Sequence, residues 1–257
     1  MLFDSHAHLN DARFDEDREA LIKKLQEEHV DLVLNPGADI ETSITSVELA
    51  NKYDFIYAAV GVHPHDVKDL DDTAIDILRK LATESEKVVA IGEIGLDYYY
   101  DNSPRELQKE WFKKQIELAN ELKLPIIIHD RDAHQDVFDI IRDTKSPEIG
   151  CVIHCYSGNV ELAKEYVKMG CYISIPGTVT FKNNKKTKEV AREIPLDRLF
   201  IETDSPYMAP TPNRGKRNKS DYIAYIIEQI AQIKNLNPKE VNLAVNSNFK
   251  RLIGKEI

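Results

Sequence analysis

The sequence predicts an α/β protein, specifically a (β/α)8 (TIM) barrel with its active site at the C-terminal ends of the strands. Three observations carry this expectation. Eight short apolar runs alternate with longer amphipathic segments over 257 residues. Most of the runs stop at Gly or Pro, as strands entering loops do. The polar residues that interrupt the runs are histidines and carboxylates, and they gather at the C-terminal ends. A doubly wound open sheet would use the same elements in another order. No Gly/Ser linker, low-complexity tract or composition break divides the chain, so residues 1–257 are expected to form one domain.

The runs are MLFDSH, DLVLNPG, DFIYAAVGVHP, KVVAIGEIG, LPIIIHDR, GCVIHCYSG, GCYISIPG and RLFIETD. Several are apolar nearly throughout, which suits strands buried on both faces. Between them, EDREALIKKLQEE, IETSITSVELANK, ELQKEWFKKQIELANELK and DYIAYIIEQIAQIK space their apolar residues as helices do. Asn159, Asp132 and Ser220 stand where helix caps are expected. PKEVNLAVNSNFKRLIG reads as one more helix after the eighth strand. Longer loops are expected after strand four (LDYYYDNSP) and strand eight (SPYMAPTPNRGKRNK), both on the catalytic face of a barrel.

Composition narrows the class of function. A hydrophobic fraction of 42% suits a globular chain with a full core. No apolar run reaches membrane-spanning length, and the N-terminus does not read as a signal peptide. Three cysteines, Cys151, Cys155 and Cys171, in apolar surroundings read as buried free thiols, which fits a reducing cytoplasm. The net charge of −10 opposes broad electrostatic attraction to nucleic acid.

The strand ends hold the chemistry. Run one ends at His6 and His8, run three at His63 and His65, run four at Glu93. Run five ends at His129 and Arg131, run six at His154, run eight at Glu202 and Asp204. Six of the eight histidines fall in this set. One inward histidine is usually a hydrogen-bonded core residue, but the coincidence over several strands points to a metal site. A buried Glu202/Asp204 pair would itself be costly without a cation. Mixed imidazole and carboxylate donors suit Zn2+ or Mn2+, and Mg2+ less naturally. Without cysteine in the ring, a closed structural zinc site is not expected.

The strand-one HxH (His6, His8) with GVHPH, GEIGLDYY, IHDR, HCYSG and IETDSP resembles the TatD family of metal-dependent hydrolases, over nearly the whole chain. The resemblance implies an amidohydrolase-like barrel and a deoxyribonuclease. It implies two divalent ions, one held by His6, His8 and Asp204, the other by His129 and His154, with Glu93 bridging. Run four offers Glu93 where many relatives in the wider superfamily use a modified lysine. Paired ions would acidify a shared water and stabilise an in-line displacement at phosphorus. Asp204 would be ligand and proton acceptor. Glu202 would orient water or a further cation, or else brace a ligand, and Asp4 would brace a strand-one histidine.

Arg131, on the face of His129, is expected to clamp phosphate through its guanidinium fork. His63 is expected at the rim as a hydrogen-bond donor to substrate, with His65 supporting the loop. Asp97 is read equally as loop support and as substrate contact. Lys182, Lys185, Lys186 and Lys188 after strand seven, with Arg214, Lys216, Arg217 and Lys219 after strand eight, supply a local basic patch. Tyr98, Tyr99 and Tyr100 could stack on bases. The substrate expected is DNA or a short oligonucleotide, attacked at the 3′ end of a single strand, a polarity that comes from the resemblance. Hydrolysis of a small ester, amide or phosphate ester is the alternative, and a non-catalytic nucleic-acid-binding protein a more distant one. No obligate protein partner is expected.

Overall fold

A computed structural model describes residues 2–144 and 149–254. Both ends of the expected domain, residue 1 and residues 255–257, lie outside that description. The strands are β1 (Leu2–Asp4), β2 (Val30–Pro36), β3 (Ile56–Val60), β4 (Val88–Asp97), β5 (Ile126–Arg131), β6 (Cys151–Ile153), β7 (Tyr172–Ile175) and β8 (Leu199–Ile201). Their order in the sheet follows the chain, β1 to β8. The pairs β1/β2, β3/β4, β4/β5, β5/β6 and β7/β8 are parallel. The helices are α1 (Arg18–Glu27), α2 (Ile40–Lys52), α3 (Thr73–Glu84), α4 (Arg105–Leu122), α5 (His134–Asp143), α6 (Val160–Lys168), α7 (Lys185–Glu193), α8 (Ile223–Lys234) and α9 (Pro238–Ile253). Strand-then-helix repetition with a parallel sheet in chain order is the (β/α)8 topology.

The chain divides into two compact units. The first comprises Met1–Asn35, Cys155–Lys168 and Tyr172–Ile257. Its core is aromatic: Phe3 packs on Phe200 (5.9 Å between ring centroids) and Phe249 (4.6 Å), and Phe200 on Tyr172 (5.0 Å). These contacts tie β1, β7 and β8 to α9. Lys185, Lys186 and Lys188 sit on α7 and not on a loop. The NNKK segment starts the helix because Asn184 caps it, accepting from the Thr187 N–H.

The second unit comprises Pro36–His154 and Met169–Cys171. Here β4 runs two residues beyond the expected GEIG, through Leu96 to Asp97. It lies so close to β5 that side chains have no room. A Cβ on Gly92 would stand 2.6 Å from Ile127 Cβ, and one on Gly95 only 2.0 Å from the His129 carbonyl oxygen. Gly95 also has φ +143°, a conformation that L side chains rarely adopt. The register between β4 and β5 shifts between Ile91 and Ile94, around Glu93. The two glycines therefore let Glu93 and His129 meet.

Of the three expected caps, Asn159 caps α6 through the Leu162 N–H. The other two expectations are corrected. Ala133 holds the N-cap position of α5, while Asp132 takes a left-handed φ of 55° one residue earlier. Ser220 opens a 3-10 turn, and Tyr222 is the N-cap of α8. Cys151 and Cys171 are buried free thiols as expected, whereas Cys155 is only half-buried.

Candidate metal centre

The first unit brings together His6, His8 and Asp204. None of them lies on a strand proper: β1 stops at Asp4 and β8 at Ile201. Backbone pairing nonetheless continues past both ends. The Asp204 N–H donates to the His6 carbonyl (2.9 Å) and the His8 N–H to the Ser205 carbonyl (2.8 Å). Extended backbone keeps i and i+2 on one side, so the His6 and His8 Nε2 atoms come within 3.2 Å of each other. Asp204 Oδ1 is 3.5 Å from His8 Nε2 and 3.9 Å from His6 Nε2. Asp204 reaches them from a left-handed φ of 54°, which Asp tolerates better than most residues. Two imidazole nitrogens and a carboxylate oxygen facing one point form an N/O donor set that fits a divalent cation.

Asp4 and Glu202, both buried, brace this unit. Asp4 accepts from the Thr203 N–H (2.9 Å) and hydroxyl (2.5 Å), so it ties β1 to the segment just after β8. Its link to His6 is to the backbone N–H at 3.4 Å, not to the ring, which corrects the expected contact with an imidazole. Burial pushes its carboxyl up to about 7, against the opposing pull of the Thr203 and Ser220 hydroxyls. Glu202 accepts from the Cys155 N–H and from the Ser174 hydroxyl, both at 2.6 Å. Each of its oxygens is thus held by the fold.

The second unit builds around Glu93, which is 3% exposed. A single oxygen, Oε1, lies 2.8 Å from His129 Nδ1, 3.0 Å from His154 Nε2 and 3.6 Å from His63 Nε2. Glu93, His129 and His154 offer ligand atoms that all lie within 4.8 Å of one another. A buried carboxylate ringed by imidazoles fits a cation far better than an apolar core, where the same groups would be desolvated for nothing.

Asp97 is the residue whose role sequence reasoning left divided. Its Oδ1 accepts from the Tyr99 and Tyr100 N–H groups (3.0 and 2.8 Å), which is loop support. Its Oδ2 faces His65 Nε2 (2.9 Å) and His129 Nε2 (3.0 Å). Burial alone would raise the Asp97 carboxyl, but hydrogen bonds from His129, His65 and the Tyr100 N–H overcome it and hold the group well below the carboxylate range. Burial likewise pulls His129 down, and the Asp97 and Glu93 hydrogen bonds raise it above its ordinary value. His63 shifts the other way: burial, then the neighbouring His129, push it well below the histidine range. Its Nδ1 accepts from the His65 N–H (3.2 Å), so a neutral His63 carries its proton on Nε2, toward Glu93.

Two helix-borne residues that sequence reasoning missed hold these strand ends. Gln115 of α4 pairs with both the N–H (2.7 Å) and the carbonyl (3.0 Å) of Val62, next to His63. Gln108 of α4 does the same for Asp97 (2.9 and 3.2 Å). The signal was present: two glutamines seven apart within the stripe of Trp111, Phe112, Ile116 and Ala119 occupy a face reserved for apolar side chains.

The expected substrate contacts distribute unevenly. Arg131 is exposed and lies over the Tyr99 and Tyr100 rings, at 4.2 and 4.9 Å. Tyr98 is committed to the scaffold, since its hydroxyl donates to Asp136 (2.6 Å) and Arg105 covers its ring (4.3 Å). The open aromatics are Tyr99 and Tyr100, 58% and 54% exposed. His65 supports the loop as expected, its carbonyl accepting from Ser103 (2.8 Å). Arg214 is exposed and stacks on Phe181 (4.2 Å). Arg217 is engaged by Asp17, and Lys219 by Asp221.

Comparison with known proteins agrees with this chemistry. A family model described as TatD related DNase matches residues 3–254. The chain is 48% identical over 252 residues to the metal-dependent hydrolase YabD of Bacillus subtilis (strain 168), covering 98% of each chain. It is 37% identical over 254 residues to the metal-dependent hydrolase YcfH of Escherichia coli, covering 98% of this chain and 95% of that one. Among solved structures, YJJV, a TatD homolog from Escherichia coli, superposes with a TM-score of 0.93 at 29% identity, covering 99% of this chain and 98% of that one. The (β/α)8 barrel expected from the sequence is the fold of this chain.

Proposed function

Because the chain belongs to the TatD family of metal-dependent hydrolases, we propose that it cleaves phosphodiester bonds in DNA, working inward from the 3′ end of a single strand as one hydrolase domain. One observation carries the metal chemistry within this reading: three imidazoles converge on one oxygen of the buried Glu93 carboxylate. His129, His154 and Glu93 would hold one ion, and His6, His8 and Asp204 another. By the family resemblance, Glu93 would be shared by both ions. When bound, divalent ions acidify water and draw charge from phosphoryl oxygens.

The remaining work falls to the chain. Asp204, at the mouth of its donor set and 13% exposed, accepts the proton lost by the attacking water. His63, held neutral by burial, offers a hydrogen bond from Nε2–H to a substrate oxygen and keeps its proton. Arg131 carries a guanidinium on an aromatic shelf, which suits phosphate, and Tyr99 and Tyr100 present faces to bases. Arg214 adds a cation at the second loop. Glu202 serves by fixing Cys155 and Ser174 in place. No described helix is long and apolar enough to cross a membrane, and we place the enzyme in the cytoplasm on its three cysteines, which form no disulfide among the described residues.

The test is enzyme reconstituted separately with Zn2+, Mn2+ and Mg2+, given a 3′-labelled and a 5′-labelled oligonucleotide beside a panel of esters, amides and phosphate esters. Stepwise loss from the 3′ end, abolished by Asp204→Asn with oligonucleotide binding retained, is the expected result. Turnover of the panel alone would transfer the site to a small substrate and end the nuclease reading.

A further inference from the structure

Tyr207, which touches His8 and Asp204, carries on its ring a cation that neither basic loop supplies. Arg13 follows β1 in a 3-10 turn at Ala12–Phe14, and its side chain is 46% exposed. Its guanidinium is held on two sides. Nε and Nη2 grip the two oxygens of Asp11 at 3.0 and 2.9 Å. The planar face rests on the Tyr207 ring, 4.0 Å from its centroid. The Tyr207 hydroxyl returns to the same Asp11 carboxylate at 3.2 Å. Arg217, itself gripped by Asp17, fixes the turn by donating to the Arg13 carbonyl (2.6 Å).

This cluster is joined to the metal-ligand set by both backbone and ring contacts. The Tyr207 N–H donates to the Asp204 carbonyl at 2.8 Å. The Tyr207 ring meets the His8 ring edge-on, 6.1 Å between centroids. A guanidinium has two bidentate edges. Asp11 occupies the Nε/Nη2 edge, Tyr207 also bonds the guanidinium, and the remaining edge is the one a second anion would take. An exposed Arg–Asp pair at i, i+2 contributes little to stability by itself. What the arrangement achieves is to fix the direction of a fork that would otherwise sample many rotamers.

We propose that Arg13, aimed by Asp11 and Tyr207, binds a phosphate adjacent to the one being cleaved and so makes the enzyme favour polynucleotides over isolated phosphodiesters. The proposal rests on the phosphodiesterase reading given above.

The experiment compares wild type, Arg13→Ala, Arg13→Lys and Tyr207→Leu, all reconstituted with the same metal, on a single-stranded oligonucleotide and on bis(p-nitrophenyl) phosphate, which has one phosphate. The expected result for Arg13→Ala is about a tenfold fall in the ratio of kcat/KM values, oligonucleotide over small diester, carried by KM. The salt dependence of oligonucleotide KM should flatten by about 0.7 in log–log slope, one phosphate contact on a single strand. Arg13→Lys should keep the slope and lose part of the ratio, and Tyr207→Leu should lose part of the ratio. Equal losses on both substrates, or an unchanged salt slope in Arg13→Ala, would make Arg13 a brace of the Tyr207 segment and overturn the proposal alone. A wild-type enzyme that turns over the small diester and leaves the oligonucleotide intact would overturn the DNA reading with it.

Discussion

Replacing Asp97 by asparagine should weaken metal binding at His129 without unfolding the strand. The change is nearly isosteric. The new amide can keep its oxygen toward the Tyr99 and Tyr100 N–H groups, so the turn after β4 stays in place. Lost is the second carboxylate oxygen, which faces His129 Nε2 at 3.0 Å and His65 Nε2 at 2.9 Å. In the wild type, that oxygen holds the His129 proton on Nε2 and so turns the Nδ1 lone pair toward Glu93, 2.8 Å away. An amide NH2 in the same place favours the opposite tautomer, with the proton on Nδ1, where a ligand lone pair is needed. Loss of such an orienting carboxylate costs about 10- to 100-fold in affinity, or about 1.4–2.8 kcal/mol. The assay is a competition titration of metal-free Asp97→Asn and wild-type protein with Zn2+ against a chromophoric chelator, with thermal melts of the metal-free forms as the control for folding. An affinity within twofold of wild type, at an unchanged melting temperature, would refute the claim that Asp97 orients a ligand.

Three further outcomes are expected. Asp4, with a folded value of about 7 against an ordinary 3.8, favours its protonated form in the folded state; the stability this contributes is complete below about pH 3.8 and is lost as pH rises through 7. Asp4→Asn, which cannot ionise, should therefore gain on the wild type between pH 5 and pH 8, by about 3 kcal/mol, and melting curves that run parallel across that range would show that burial of Asp4 has no such effect. Gly95→Ala sets a Cβ against the His129 carbonyl at a φ of +143°, and should lower stability by more than about 2 kcal/mol, read from the denaturant midpoint. Gln115→Leu leaves the Val62 N–H and carbonyl unpaired, at a cost of about 1–3 kcal/mol for each; a melting temperature equal to wild type would mean that water or another group replaces the amide.

The positions of the candidate site residues along the chain could be read in advance because strand ends are punctuated. His6, His63, Glu93, His129, His154 and Asp204 each follow or interrupt an apolar run, and within each unit parallel strands carry such ends to one side. The roles around them could not. Sequence position suggests a brace for an imidazole at Asp4, whereas the structure makes it a clasp between β1 and Thr203. Tyr98, Tyr99 and Tyr100 look equivalent in sequence, yet Asp136 on α5 claims the first and leaves the other two open. Asp132 resembles a helix cap in sequence, but the chain turns left-handed there and hands the cap position to Ala133.

Local pattern alone determined the strand-and-helix alternation, the barrel class and the set of candidate metal-binding side chains, because periodicity, glycine punctuation and residue chemistry act over a few residues. Which oxygen faces which nitrogen, which carboxylate grips which arginine and which tyrosine stays exposed were decided only in the tertiary structure. Those outcomes depend on partners brought together from distant parts of the chain. Asp97 meets His129 across 32 positions and Tyr207 meets Asp11 across 196, and no spacing rule spans such separations.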